Sequence, residues 1–451
     1  MRSLTCISPW LLSLFLAVIC RPADTASTIV SKESTDSASA AVSKNHVDSI
    51  SAFISMAGDC RYPAVASEGT NLYLAWVASE GRATTIFFRR SMDEGREWNN
   101  GRRISIENGV CYPPAIAAHG GIVHLAWVDY GETVEGEIYY ARSVDGGETW
   151  EQNTILHANA NSARYPLLVC QGSEVYLVWQ DVENKTYFKV SHNQGQNWET
   201  EKLLAKLGRH SCYCYPPAIC ANGKEVTVVW TDVQDVKKGF KISAYGIPLV
   251  PGKSSVISAV VCRKSTDAGS TWGKEKILVK TEVAKEAKDE IDNPAMLSDG
   301  SVSYLFWIDK SIQKLGEIKY AKFDAATTKF PISGKDIYPG QKRSPKRPSV
   351  ILDSDNNFHL AWASFLGGKS VVCYGRSDGM GNILMEKKGL TSDTLRYHNP
   401  ILNKTPSGLL QVFWFDEPVE KDGWSRIFLK TSQDNGLTWL NWEPQKKEVQ
   451  N

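Results

Sequence analysis

After its first twenty residues the sequence has no apolar run near the ~18 residues that a membrane-spanning helix requires, so the remainder reads as soluble. An excess of one charge is also missing. The 51 Lys and Arg stand against 50 Asp and Glu, and a net charge of +1 gives neither a nucleic-acid footprint nor a polybasic membrane patch. The eight His residues have no metal-ligand spacing: His119 and His124 are five apart and the others are scattered. There is no G-x-S-x-G, no phosphate loop and no paired His–Cys arrangement. The sequence therefore implies no metal, no cofactor and no nucleic-acid partner.

What is present points to many short strands. The chain has 451 residues, 42% of them apolar and 22% charged, with 15 Trp, 17 Tyr and 34 Gly, a mixture that favours strands and tight turns over helices. Its first segment opens with Arg2 and runs apolar from Trp10 to Cys20, with small residues following at Ala23 and Ala26. This is the pattern of a secretory signal peptide over residues 1–26, and it predicts export to an extracellular or periplasmic compartment. A Ser/Thr/Ala-rich leader follows over 27–50, then a repetitive region over 51–442 and a tail over 443–451.

Eight cysteines remain after the signal, and in an exported chain an even number predicts disulfides, although eight thiols allow 105 pairings. Cys60 with Cys111, and Cys170 with Cys220, stand at matching repeat positions and are the candidate cross-repeat pairs. Cys212, Cys214 and Cys220 lack a C-x-x-C, which argues against zinc. Sequons begin at Asn184 and Asn403.

The repeat is the most informative feature. A short apolar run ends in Trp at positions 76, 127, 179, 230, 307, 362 and 414, in steps of 51, 52, 51, 77, 55 and 52 residues. A Pro-led apolar segment precedes each run, at Pro63, Pro114, Pro166, Pro217, Pro294, Pro348 and Pro400, and an alternating apolar segment follows. Between the third and fourth strands of a unit comes a turn such as SMDEGREW, SVDGGETW, SHNQGQNW, STDAGSTW or SQDNGLTW; units five and six carry eroded versions around Asp324 and Asp378. The side chains of Asp93, Asp145, Asn193, Asp267 and Asp434 are expected to accept hydrogen bonds from turn N–H groups while Gly supplies a positive φ, a structural role. One carboxylate per turn cannot provide the six or more oxygens of a calcium site.

Four antiparallel strands every ~50 residues describe an all-β propeller. The reading is a seven-bladed β-propeller, with six blades as the alternative count. Val47–Ser55 is expected to pair with the last blade, and the 77-residue step to hold an inserted loop.

These S-x-D-x-G-x-T-W turns resemble the Asp-box (BNR) repeats of sialidases and related propellers over about residues 52–442. The resemblance implies a carboxylate clamp of arginines, a Tyr–Glu nucleophile pair and a general-acid Asp on a loop. Arg61, in Cys60-Arg61-Tyr62-Pro63, matches the family's opening arginine, and Glu80-Gly81-Arg82 matches its Glu-x-Arg. Arg263 and Arg347 take the other clamp positions, Tyr397 the nucleophile position, and Glu286 and Glu290 are candidate partners by position alone. The match breaks at the acid: Arg82 runs directly into the third strand, with no inserted Asp. Asp129 or Glu132 could serve only from a different loop. Asp129, Asp181, Asp232, Asp309 and Asp416, each two residues after a blade Trp, read as turn caps rather than as a functional ring. The expected function is a secreted propeller that binds a sialic-acid-bearing or other acidic glycan, or a cell-surface protein, as a monomer without efficient hydrolysis. Losing a general acid costs ~10²–10⁴ in rate. An exo-α-sialidase is the alternative, and a purely protein-binding propeller the third reading.

Overall fold

The computed structural model describes Phe53 and residues 59–442, apart from 81–82, 107–108, 132–134, 159–161, 207–215, 237–254, 285–290, 299–301, 311–314, 325–333, 340–341, 393–394 and 418–423. The signal segment, the leader and the tail lie outside the described residues, as do Arg82, Glu132, Cys212, Cys214, Glu286 and Glu290. No described helix is long and apolar enough to cross a membrane.

Seven four-stranded antiparallel sheets form a seven-bladed β-propeller, each built from four strands consecutive in sequence. Their first strands are Cys60–Glu68, Ala115–His119, Ala163–Gln171, Ala218–Asn222, Ile291–Ser298, Ser344–Leu352 and Arg396–Lys404. Each contacts the next around the ring, and the seventh returns to the first, so these strands surround the central channel. The seven blade Trp side chains, on the second strands, are fully buried.

Closure between blades seven and one rests on backbone and side-chain links. Phe53 N–H donates to Ile427 O and Cys60 N–H to Ser425 O, both at 2.8 Å. The Phe53 ring meets Trp98, Phe413 and Trp442 at 4.8–6.0 Å. Of the segment expected to pair with the last blade, Phe53 is the described residue, and it does reach blade seven. The long step is a hairpin within blade four: its second and third strands, Glu225–Val236 and Ser255–Ser265, stay paired out to Val236 and Ser255.

The repeated turns bind one blade to the next. In blade two, Ser143 Oγ donates to Asp145 Oδ1 at 2.7 Å, and Thr149 N–H donates to the same carboxylate at 2.9 Å. Asp93, Asn193, Asp267 and Asp434 accept the equivalent N–H bonds at 2.8–2.9 Å. The Thr271 and Thr438 hydroxyls are the largest influence holding Asp267 and Asp434 down at about 2. The following Trp lies edge-on against an aromatic of the preceding blade: Trp150 on Phe88, Trp198 on Tyr140, Trp272 on Phe188 and Trp439 on Tyr374, at 4.8–5.2 Å.

The expected disulfides are corrected by the structure. Cys111, Cys170, Cys262 and Cys373 are free thiols, so neither Cys60–Cys111 nor Cys170–Cys220 is bridged. The reason is local: Cys111 Sγ donates within its own blade to Asp129 Oδ2 at 3.3 Å. Burial, the largest cause in each case, pushes the Cys170 thiol up to about 12 and those of Cys262 and Cys373 to about 11, which makes them unreactive.

Candidate functional site

The mouth of the channel lies where the first strands begin, and its shape follows from a backbone device. In blades one, three, five, six and seven the residue before the repeated Pro has positive φ: Tyr62 (56°), Tyr165 (52°), Asn293 (49°), Arg347 (51°) and Asn399 (48°). A residue before Pro favours extended backbone, and bulky side chains such as Tyr and Arg rarely adopt the left-handed region. The strain belongs to a β-bulge, because in each of these blades two residues oppose the single blade Trp. Thus Arg61 pairs with Val77 and Ala64 with Ala75, leaving Tyr62 and Pro63 opposite Trp76. The same shift occurs at Arg164/Leu167, Asp292/Ala295, Lys346/Ser349 and His398/Ile401. Pro has no N–H for the ladder, and the bulge removes the need for one.

The bulge also sorts the side chains. Three residues before the Pro they are buried: Cys60, Cys111, Ala163, Ile291 and Tyr397 are at most 4% exposed. Two residues before it they open toward solvent, at Arg61, Tyr112, Arg164, Lys346 and His398, with Asp292 the buried exception. Among the described residues from the start of a first strand to its Pro, Arg61, Arg164, Lys346, Arg347 and Arg396 stand with one carboxylate, Asp292. The second strands end at the same mouth on Asp129, Asp181, Asp309, Asp416 and Glu417, so basic and acidic groups alternate there.

Tyr62 is the point where the blades converge. Burial raises its hydroxyl above the usual range; Arg347 and then Arg61 pull it back, and Glu417 and Tyr112 push it up. Groups from blades one, two, six and seven thus act on one phenol. Arg61 Nε donates to Ser425 Oγ at 2.9 Å and Nη2 to Asp59 Oδ2 at 2.8 Å, which places this arginine in the seam between blades seven and one. Arg347 donates to Asn399 Oδ1 in the next blade. Glu417 lies 3.4 Å from His398 Nε2 and 3.5 Å from Arg396, and His398 and Arg396 hold it below the ordinary carboxylate range against burial, the largest single influence. Asp292 accepts from Lys310 and, at 2.7 Å, from Asn293.

The other expected site residues lie elsewhere. Arg263 pairs with Val228 and stands two residues before the turn serine Ser265, at the end of blade four away from the mouth. It is not gathered with Arg61 and Arg347. Tyr397 is 3% exposed, stacks edge-on against Phe428 at 6.4 Å and belongs to the core between blades six and seven, with its backbone N–H bonded to Ser370 Oγ at 2.6 Å. A buried core tyrosine cannot reach a ligand in the channel. Asp129, Asp181 and Asp416 each turn back to backbone N–H groups of their own blades, at Val110, Glu183 and Arg426, and cap those connections. Sequence reasoning missed Tyr62, His398 and Glu417. The signal for the first was its place one residue before Pro63, opposite Trp76.

Residues 11–228 match the family described as a BNR repeat-like domain. Over that span the chain carries an Asp-box domain of this BNR type. Among solved structures, an ulvan lyase from a new family of polysaccharide lyases aligns with this Asp-box propeller at a TM-score of 0.57 and 12% identity, covering 82% of this chain and 94% of that one. The ulvan lyase bound to a repeat of glucuronic acid and sulfated rhamnose gives 0.57 at 11% identity with the same coverage. The α-L-arabinanase of Penicillium chrysogenum, complexed with arabinobiose, gives 0.45 at 15% identity over 72% of this chain and 95% of that one. At these identities the ulvan lyase likeness concerns the propeller fold alone. No curated protein sequence matches the chain.

Proposed function

We propose that this Asp-box propeller is exported and binds an acidic glycan at the channel mouth, without hydrolysing it. The observation that carries the reading is the placing of Arg61 and Arg347 at the mouth, Arg61 bonded to Ser425 and Arg347 to Asn399, with both acting on the half-buried Tyr62, whose ring packs on Phe415 at 5.0 Å. A guanidinium presents paired donors that match a carboxylate or a sulfate, and an aromatic face accepts the apolar face of a sugar. The ulvan lyase complex supports the reading by analogy of fold, since that propeller holds a uronate- and sulfate-bearing glycan.

Sialidase-type hydrolysis is disfavoured by two observations. The second and third strands of blade one stay paired to Glu80 and Ala83, so their connection has room for Gly81 and Arg82 only, with no place for an acid loop. The tyrosine at the family's nucleophile position, Tyr397, is in the core. A natural sialyl-oligosaccharide should therefore release no sialic acid when incubated with the purified protein; rapid release would overturn this part of the proposal.

Binding is tested on an array of acidic and neutral glycans followed by calorimetry. Arg347→Ala is expected to weaken acidic-glycan binding by about 10- to 100-fold, the range of a charge-assisted hydrogen bond worth about 1.5–3 kcal/mol. Raising salt should weaken it further. If no acidic glycan binds and Arg347→Ala changes nothing, a protein partner becomes the better reading.

A further inference from the structure

Resting on that reading, we infer that the mouth takes an internal stretch of an acidic polysaccharide along a row of aromatic side chains, and not a single terminal sugar. The row crosses the seams of blades six, seven and one. Phe365 lies 5.3 Å from His398, His398 stacks at 5.3 Å and 24° on Phe415, and Phe415 meets Tyr62 edge-on at 5.0 Å. Tyr112 and Tyr130, with rings 4.9 Å apart, form a further aromatic pair in blade two. Phe365, His398, Tyr62, Tyr112 and Tyr130 are all partly exposed, and Phe415 lies beneath them.

The fold does not demand aromatics there. The place of Phe415, one residue after the blade Trp, is taken by Gln180, Thr231 and Ile308 in blades three to five. The place of Phe365, three residues after it, is taken by Val182 and Lys310 in blades three and five. Aromatics accumulate in one sector of the ring, linked in steps near 5 Å from Phe365 through His398 and the underlying Phe415 to Tyr62. Across the ring, the extended hairpin of blade four, paired out to Val236 and Ser255, stands on the opposite side. Basic groups accompany the row: Arg396 beside His398, through their shared partner Glu417, and Arg347 and Arg61 beside Tyr62. Aromatic faces would take the apolar faces of successive rings while the guanidinium groups take the carboxylates or sulfates that recur along such a chain. A terminal monosaccharide would occupy the Tyr62–Arg347 end and leave the rest of the row unused.

The test uses the full chain and size-fractionated chondroitin sulfate oligosaccharides, from the disaccharide upward, with binding followed by calorimetry. Affinity is expected to climb at least 10-fold from the disaccharide to an oligomer long enough to cover the row, and then to level off. Phe365→Ala and Phe365→Leu, both at a partly exposed position and checked for an unchanged thermal midpoint, should flatten that dependence on length. Arg347→Ala should lower affinity at every length and keep the dependence. Equal affinity for short and long oligomers, with no effect of Phe365 but a loss on Arg347→Ala, overturns the row and leaves the proposed function standing. No binding at any length, together with no acidic binder on the glycan array, overturns both.

Discussion

Gly147→Ala is expected to destabilise the protein by about 3 kcal/mol, although it adds one methyl group to a surface turn. Gly147 has φ +87°, where any L side chain is strained, and a Cβ built there falls 2.4 Å from Cε1 and Cζ of Phe88 in the preceding blade. Phe88 is fully buried and packs against both Trp150, 5.0 Å away, and Tyr73, stacked at 6.3 Å, so it has little room to move aside. The same glycine recurs with the same neighbour: Gly269 faces Phe188 at 2.4 Å, Gly381 faces Tyr320 at 2.2 Å and Gly436 faces Tyr374 at 2.1 Å. The control is Gly120→Ala, at φ +63° with nothing within 4 Å, which carries the backbone strain alone and should cost about 1 kcal/mol. Urea midpoints of the two variants give the comparison. In a Phe88→Leu background, where the ring edge is absent, the Gly147→Ala loss should shrink; a loss unchanged by that background, or equal for the two glycines, would show that contact between blades is not its source.

This close approach explains why so much of the fold was legible in the sequence. The Asp-box turn carries both a local hydrogen-bond set and the glycine that lets neighbouring blades touch, so its spacing records the blade repeat directly. The count of seven followed from the Trp runs, and the inserted segment in blade four could be assigned because its flanking motifs stayed intact. The candidate site was less legible, for a reason of register. Along a strand, a shift of one residue carries a side chain from core to surface. Arg61, two residues before its Pro, is at the mouth; Tyr397, three before its own, is in the core, and His398 takes the open position. The bulge that fixes this assignment runs against the ordinary preference of a residue preceding Pro, so local propensity points away from it. The exposed aromatic row depends on contacts between blades, and no local pattern in one repeat reveals it. The disulfide expectation failed in a related way. Matching repeat positions gave Cys60 and Cys111 equivalent heights, but the Cys111 thiol turns to Asp129 inside its own blade.

Lowering the pH from 7 to 5 should destabilise the protein by about 4 kcal/mol through two buried histidines, before the depressed carboxylates begin to titrate. His124 is 2% exposed, with Nδ1 at 2.7 Å from the Tyr140 hydroxyl; burial first, then Arg142 and His119, bring it down to about 3. His359 is fully buried between the Tyr374 hydroxyl at 2.7 Å and Asp353 Oδ2 at 3.1 Å. Burial dominates there and lowers it to about 4, even though Asp353 opposes the shift. Each folded-state value lies below the ~6.5 of an unfolded histidine, so the folded protein prefers the neutral ring. Stability from this source is complete above that unfolded value and is lost as the pH falls toward the folded one. At pH 5 each group has lost roughly 1.5 pH units, about 2 kcal/mol at 1.36 kcal/mol per unit. His192 runs the other way, because Glu174 and Glu199 raise it against burial, its largest single influence; its contribution is present in acid and fades as the pH rises, but the site is exposed and screened. The measurement is the urea midpoint at the two pH values for the parent and for the His124→Gln, His359→Gln double variant. The double variant is expected to be less stable at pH 7 and to lose most of its sensitivity between pH 7 and 5. An undiminished acid loss in that variant would place the titrating groups elsewhere.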